Sequence, residues 1–294
     1  MIDCHCHLAD EQFTSDIDEV VARARQAGVI ATLVCAEFKD QFAEIFKLSK
    51  RFPDFCFPCI GMHPIQRNDV SIRMEDMDSV DEFIEENSGS IAAIGERNDV
   101  SIRMEDMDSV DEFIEENSGS IAAIGEVGLD FTPRYIKLPD AKDVQIAVFR
   151  RQIELAMKLD RTLNVHSRSA GRPVINLLRE CGAKRVLLHA FSGNSKNAQP
   201  AIEAGYYFSI PPSFSLSDQK VDLVSRVPLS QLCLETDSPV LGPSKTERNE
   251  PENIRISADF IARVKGVSLE EVVKVTTENA IRLFPMLNRL KLTL

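Results

Sequence analysis

The sequence predicts a single (β/α)₈ TIM barrel, and three observations carry the prediction. Eight apolar runs with strand character alternate with amphipathic helical patterns along the 294 residues. Alternation of this kind calls for parallel strands joined by right-handed crossovers, and eight such units close into a barrel. All five histidines stand at or just past the C-terminal ends of those runs, the face on which this architecture assembles active sites. A hydrophobic content of 44% supports one large core, and no Pro/Gly/Ser-rich linker divides the chain, so residues 1–294 are read as one domain.

Taken in order, the strand runs are residues 1–7, 30–36, 55–62, 121–126, 162–166, 185–189, 205–210 and 232–236. Helical patterns over 16–27, 39–51, 144–159, 172–181, 197–204 and 217–225 lie between them. A terminal helix, 269–284, follows Ser268 as N-cap, with Glu270 and Glu271 in its first turn complementing the helix dipole. It is expected to pack on the barrel wall, its Thr276-Thr277-Glu278-Asn279-Ala280 stretch serving structure. Since the sequence begins at Met1, almost no strand precedes His5, and the first strand is expected to be truncated or frayed.

One block interrupts the alternation. Residues 67–96 recur without a difference as residues 97–126, and each copy carries nine acidic and two basic residues, a net of −7. Solenoid repeats normally diverge and come in threes or more. Two identical copies read as a recent duplication or an assembly error, a surplus helix-strand unit with helices near 75–87 and 105–117 and strands at 91–95 and 121–125. An eight-stranded barrel cannot simply accept a ninth strand. Only Glu126 continues into Val127-Gly128-Leu129-Asp130, whereas Glu96 runs into Arg97-Asn98-Asp99. The strand 121–126 is therefore assigned to the barrel, and about thirty surplus residues, drawn from 67–120, are expected to bulge between the third and fourth barrel strands.

Composition narrows the setting. No run approaches the roughly 18 uncharged residues that span a bilayer, so a soluble chain without a signal peptide is expected. Seven cysteines, an odd number, are scattered along the chain, which fits a reducing compartment, cytosol or nucleus, better than a disulfide framework. The pair Cys56/Cys59 has a metal-like gap but no second pair, and is read as packing. A net charge of −12 argues against a polyanionic ligand, but one repeat copy supplies more than half of it.

The chemistry sits in Asp3-Cys4-His5-Cys6-His7. Successive strand residues face opposite ways, so His5 and His7 share one face and Cys4 and Cys6 the other. Two imidazoles thus converge, and with His166, His189, Glu126 and Asp237 at neighbouring strand ends they describe a site for a divalent cation such as zinc, manganese or magnesium.

These motifs resemble the TatD family of metal-dependent deoxyribonucleases, especially its short eukaryotic members, over residues 2 to about 285. The resemblance rests on seven segments in order: Asp3-Cys4-His5-Cys6-His7, Gly61-Met62-His63-Pro64, Gly125-Glu126-Val127-Gly128-Leu129-Asp130, Val165-His166-Ser167-Arg168, Leu188-His189-Ala190-Phe191-Ser192-Gly193, Glu235-Thr236-Asp237-Ser238-Pro239 and Arg248-Asn249-Glu250-Pro251. It implies two divalent cations (Mg²⁺, Mn²⁺ or Zn²⁺), with His5, His7 and Asp237 on one, His166 and His189 on the other, and Glu126 bridging. It also implies a DNA substrate and assigns His63 to substrate phosphate. Such a ligand split leaves open positions for water and substrate, and paired ions suit in-line phosphodiester hydrolysis. Asp237 is in addition a candidate general base. Arg168, Arg172 and Arg248 are candidates for phosphate oxygens, although Arg172 taken alone fits surface solvation better.

Two other readings stand beside this one. Related metal barrels hydrolyse amides, lactones or phosphotriesters, and fold does not settle function. Many of those bridge their metals with a modified lysine, and no lysine lies between Arg97 and Lys137. A disabled barrel acting as a binding protein is the third reading, prompted by the duplication lying just ahead of Glu126.

Overall fold

The computed structural model describes residues 1–66, 70–73, 114 and 117–291. In chain order its strands are β1 (Ile2–Cys6), β2 (Ala31–Cys35), β3 (Cys56–Ile60), β4 (Ile65–Gln66), β5 (Val70–Ser71), β6 (Ala123–Gly128), β7 (Thr162–His166), β8 (Val186–Leu188), β9 (Tyr207–Ile210) and β10 (Leu232–Leu234). The helices are α1 (Ile17–Gln26), α2 (Phe42–Arg51), α3 (Ala141–Lys158), α4 (Gly171–Glu180), α5 (Ser195–Glu203), α6 (Asp218–Arg226), α7 (Ile254–Lys265) and α8 (Leu269–Leu283). Eight strands close in the order β1-β10-β9-β8-β7-β6-β3-β2, all in parallel, as the alternation predicts. A small antiparallel hairpin, β4 with β5, follows β3 outside the barrel.

The first strand corrects an expectation. β1 is buried along its whole length and pairs with both β2 and β10. Met1 is tied down as well, its ammonium donating to Gly28 O at 2.8 Å and its carbonyl accepting from Ile30 N at 2.9 Å. The strand is not frayed, its five residues being buried and paired on both sides.

Helix α7 is an addition to the sequence reading. Ile254, Ile256, Ala258 and Phe260 alternate with Arg255, Ser257 and Asp259, a period-2 pattern that masks the helical stripe Ile254, Ser257, Ala258 and Ile261 buried in the fold. Helix α8 begins at Ser268, whose Oγ accepts from Glu271 N at 3.1 Å. Its first half packs Val272 into the layer between barrel and helices, with Leu269 and Val273 against it, as expected. Its second half puts Ala280 and Leu283, followed by Phe284 and Leu287, in one cluster with Ile2, Cys4, Leu33, Phe57 and Cys233 under the barrel. Full burial of such a side chain contributes about 1.5–3 kcal/mol. Asn279 reinforces the plug, donating to Leu229 O at 2.9 Å and Leu232 O at 2.8 Å.

The repeat enters the fold through both copies. Val70 and Ser71 of the first copy form β5, while Ala123–Glu126 of the second begin β6. The choice of strand follows from what comes next in the chain. Val127 pairs with Val165 and Gly128 with His166, and only the second copy runs into these residues. Gly128 also has to be glycine. Its φ is +148°, and a Cβ there would lie 2.1 Å from His166 O. The helices expected near 75–87 and 105–117, the strand at 91–95 and the surplus bulge fall outside the described residues, apart from Ile114, which is helical and buried, and the residues from Asn117 onward.

Candidate metal centre

Two local irregularities build the site. In β1 the pairing register shifts between Asp3 and Cys6, so Cys4 joins the cluster inside the barrel while Cys6 packs among the residues between barrel and helices. The two cysteines therefore do not share a face, contrary to strict alternation, but His5 and His7 do. In β6 the register shifts between Ile124 and Val127, around Glu126. Bulges of this kind re-aim side chains at active sites.

Glu126 is the centre of the arrangement, 3% exposed. Its Oε2 lies 3.5 Å from both His5 Nε2 and His7 Nε2. Its Oε1 lies 2.6 Å from His166 Nδ1, 2.7 Å from His189 Nε2 and 3.6 Å from His63 Nε2. Asp237 Oδ1 closes the first group, 3.4 Å from His5 Nε2 and 3.2 Å from His7 Nε2. Asp237 holds a left-handed backbone, φ +54°, with its N–H on His5 O at 2.9 Å; such strain in a non-glycine residue persists where the surroundings over-determine it. Asn249 supplies part of that constraint, donating from Nδ2 to Thr236 O and Val240 O at 2.8 Å each.

The supports fix which ring nitrogens face inward. Asn164 donates from Nδ2 to Cys4 O at 2.8 Å, which turns its Oδ1 toward His5 Nδ1, also 2.8 Å away. His7 Nδ1 donates to Cys35 O at 3.1 Å. With each Nδ1 proton committed outward, the Nε2 atoms of His5 and His7 face each other at 3.2 Å. Against its burial, Glu37, Asp237 and Glu126 raise the His7 pKa well above its ordinary value, so positive charge belongs between the rings. Nitrogens facing each other beside two carboxylates suit such a charge, and the donor set fits a divalent ion. His166 is supported by Asp130 Oδ2 at 3.2 Å, and His189 Nδ1 faces Glu235 Oε2 at 3.8 Å. Candidate ion-holding groups are His5/His7/Glu126, His5/His189/Asp237 and His63/Glu126/His166.

Electrostatics match this geometry. Burial opposes ionisation of Glu126, but the imidazoles of His189, His63 and His5 and the bond from His166 hold its pKa well below the ordinary value. Asp237 is also lowered, against its burial, by His7, His5 and His189. Burial pushes His63 down to about 4, and His189, with His5 beside it, also to about 4. His166 goes the other way, to about 9, because Asp130 and Glu126 outweigh its burial.

The structure brings six of the expected residues, His5, His7, Glu126, His166, His189 and Asp237, within one pocket. His63 joins them, its Nε2 3.6 Å from Glu126 Oε1. Its Nδ1 lies 2.7 Å from Ile65 O and 3.1 Å from Ile65 N, contacts that fix the ring with Nε2 toward Glu126. Arg168 sits at the rim, its Nε on Asp130 Oδ2 at 2.6 Å and its side chain 44% exposed. Arg172 is exposed at the start of α4. Arg248 is occupied elsewhere. It donates to Gln12 O, to both oxygens of Asp16 (2.9 and 2.6 Å) and to Glu250 Oε1 at 2.6 Å, so both terminal nitrogens clamp the loop after β10 to the start of α1 instead of meeting phosphate. Sequence reasoning missed Asn164, Asp130 and Glu235 as supports. Asn164 shares its strand face with His166, and Asp130 and Glu235 lie inside quoted motifs, so spacing carried the signal.

Comparison with known proteins agrees with this architecture. A family model described as TatD related DNase matches residues 2–285. A putative deoxyribonuclease TATDN3 of Mus musculus is 48% identical over 294 residues, covering 99% of this chain and 90% of the relative. The deoxyribonuclease TATDN3 of Homo sapiens is 47% identical, covering 99% and 96%. The solved structure of the TatD homologue YJJV from Escherichia coli K12 aligns with a TM-score of 0.76 at 22% identity, over 97% of this chain and 98% of that one, a likeness of fold.

Proposed function

The chain belongs to the TatD-related DNase family of hydrolases, and from that premise we propose that it hydrolyses DNA phosphodiester bonds at ends, single strands or lesions, using two divalent cations. The observation that carries this reading is Glu126, whose two carboxylate oxygens face separate donor sets. His5, His7 and Asp237 would hold one ion, His166 and His189 the other, with His63 at the second side. Bound there, paired divalent cations supply positive charge to the attacking and leaving oxygens of a phosphodiester and acidify the attacking water.

The chain's own residues do the rest. Asp237, kept ionised by His7 and His5 and 6% exposed at the mouth, accepts the proton of the attacking water. Asn164 and the Cys35 carbonyl hold the His5 and His7 rings, and Asp130 holds His166, so the donors need no reorganisation as charge develops. Arg168, its Nε fixed by Asp130, offers its terminal nitrogens to a phosphate oxygen. A carboxylate between the donor sets, where a modified lysine would serve the amide or lactone chemistry, favours the nuclease reading. Free thiols at all seven cysteines, six of them buried, support a cytosolic or nuclear location. No helix among the described residues is long and apolar enough to cross a membrane. The test is incubation of purified protein with a fluorescent oligonucleotide and Mg²⁺ or Mn²⁺, with and without chelator. Metal-dependent cleavage is expected, and wild-type cleavage in excess chelator would contradict it.

A further inference from the structure

The lip of the pocket is uneven in charge. The loops after β6 and β7 are stitched together by Leu129 N to His166 O at 3.2 Å, Phe131 N to Arg168 O at 3.1 Å, and the Thr132 and Ser169 hydroxyls at 3.4 Å. On this double loop stand five exposed cations: Arg134, Lys137, Lys142, Arg168 and Arg172. Arg134 and Arg168 both lie over the Tyr135 ring, 4.5 and 5.1 Å from its centroid, and Lys142 lies 5.1 Å from that of Phe131. The stacking holds the guanidiniums in place on a buried ring without consuming their charge. Of the acids between 131 and 143, Asp140 faces Arg73 at 3.3 Å and Asp143 begins the first turn of α3. The loops after β1 and β2 are acidic by contrast, with Asp10, Glu11, Glu37 and Asp40 against Lys39, while Asp16 is paired with Arg248 and Arg23.

Charges beyond about 8–10 Å are largely screened at physiological salt, so among the described residues this lip, rather than the net charge of −12, supplies the nearby positive potential at the mouth. Arg168 links the lip to the metal pocket, since Asp130 Oδ2 takes both its Nε and His166 Nε2. We infer that the β6–β7 lip, through Arg134, Lys137 and Lys142 beside Arg168, is a track for the phosphates that flank the scissile one, which makes a polynucleotide strand, rather than a mononucleotide or small ester, the preferred substrate. The inference rests on the phosphodiesterase reading above.

The experiment compares a labelled oligonucleotide with bis(p-nitrophenyl) phosphate, which has no flanking phosphates, for wild type, Arg134→Ala, Arg134→Lys, the pair Lys137→Ala/Lys142→Ala, and Lys184→Ala in the distant 182–185 turn as control. The ratio of oligonucleotide to small-ester kcat/KM should fall about tenfold in Arg134→Ala and in the lysine pair. The dependence of log KM on log salt should flatten by about one per lost phosphate contact. Arg134→Lys should keep the salt slope, and so should Lys184→Ala. An unchanged ratio and slope in both lip variants overturns the track while leaving the hydrolase reading intact. If wild type cleaves neither substrate with Mg²⁺ or Mn²⁺, the phosphodiesterase reading fails and the track fails with it.

Discussion

The two donor sets on either side of Glu126 are supported by different chemistry. His5 and His7 hand their outer protons to neutral acceptors, the Asn164 amide oxygen and the Cys35 carbonyl. His166 is supported by a carboxylate, Asp130 at 3.2 Å, whereas His189 Nδ1 faces Glu235 at 3.8 Å, beyond hydrogen-bond reach. A carboxylate behind an imidazole raises its basicity and its strength as a ligand, whereas a neutral acceptor only orients it. The first set is therefore built for geometry, with Asp237 supplying its charge. The second is divided: against burial, Asp130 and Glu126 raise His166 to about 9, while burial keeps His189 at about 4, with Glu126 as the carboxylate both share.

The most severe break of that comparison is Glu126→Gln, which removes the one group common to both sets and should lower nuclease activity by about 10³-fold or more. Single-turnover cleavage of an oligonucleotide checks it, and near-normal turnover would remove Glu126 from the centre. The supports come next. Asp130→Ala should weaken metal affinity about 10–100-fold and should spare the ion held by His5 and His7, while Asn164→Ala should do the reverse. Competitive titration with a fluorescent chelator reads both, and identical patterns in the two variants would show that the halves are not independent.

Acidity sharpens the contrast at smaller amplitude. A ligand imidazole has to lose its proton before it binds metal, and His166 holds its proton up to about 9. Raising the pH from 7 removes that competing proton, so affinity at the His166 side should climb until about pH 9 and proton release on metal uptake should shrink over the same range. Calorimetry in buffers of different ionisation enthalpy measures the release, and a pH-independent affinity would contradict the carboxylate-supported basicity. The smallest effect belongs to the repeat. Glu96→Gln should leave cleavage within about twofold of wild type, by the ordinary tolerance of changes away from a site, and deletion of residues 67–96 should preserve activity and raise the melting temperature. An inactive Glu96→Gln would mean that the first copy supplies the bridging carboxylate.

Most of this architecture was legible because its signals are local and rare. Histidines at the ends of four of the eight barrel strands, β1, β3, β7 and β8, mark the pocket in the sequence itself. Phase was harder. The shift within β1 that separates Cys4 from Cys6 leaves no mark in composition, because both residues are buried cysteines. The period-2 run from Ile254 to Phe260 looks like a strand and packs as a helix. Arg248 was read as a phosphate ligand because an arginine in a motif implies an anion, but its anions are Asp16 and Glu250, and Asp16 lies far away in sequence. Asn164 escaped notice for a related reason: a neutral amide inside a strand declares its role only through its partners, here Cys4 O and His5 Nδ1.

The central claim is that Glu126 joins two ion-holding sets, and counting ions tests it most directly. Elemental analysis of wild type, His7→Ala, His189→Ala and Glu126→Gln, run beside oligonucleotide cleavage, should give about two divalent ions per chain in wild type and about one in each histidine variant, with cleavage lost in all three variants. A wild type that cleaves fully with a single ion, or histidine variants that keep both ions, would contradict the two-set account.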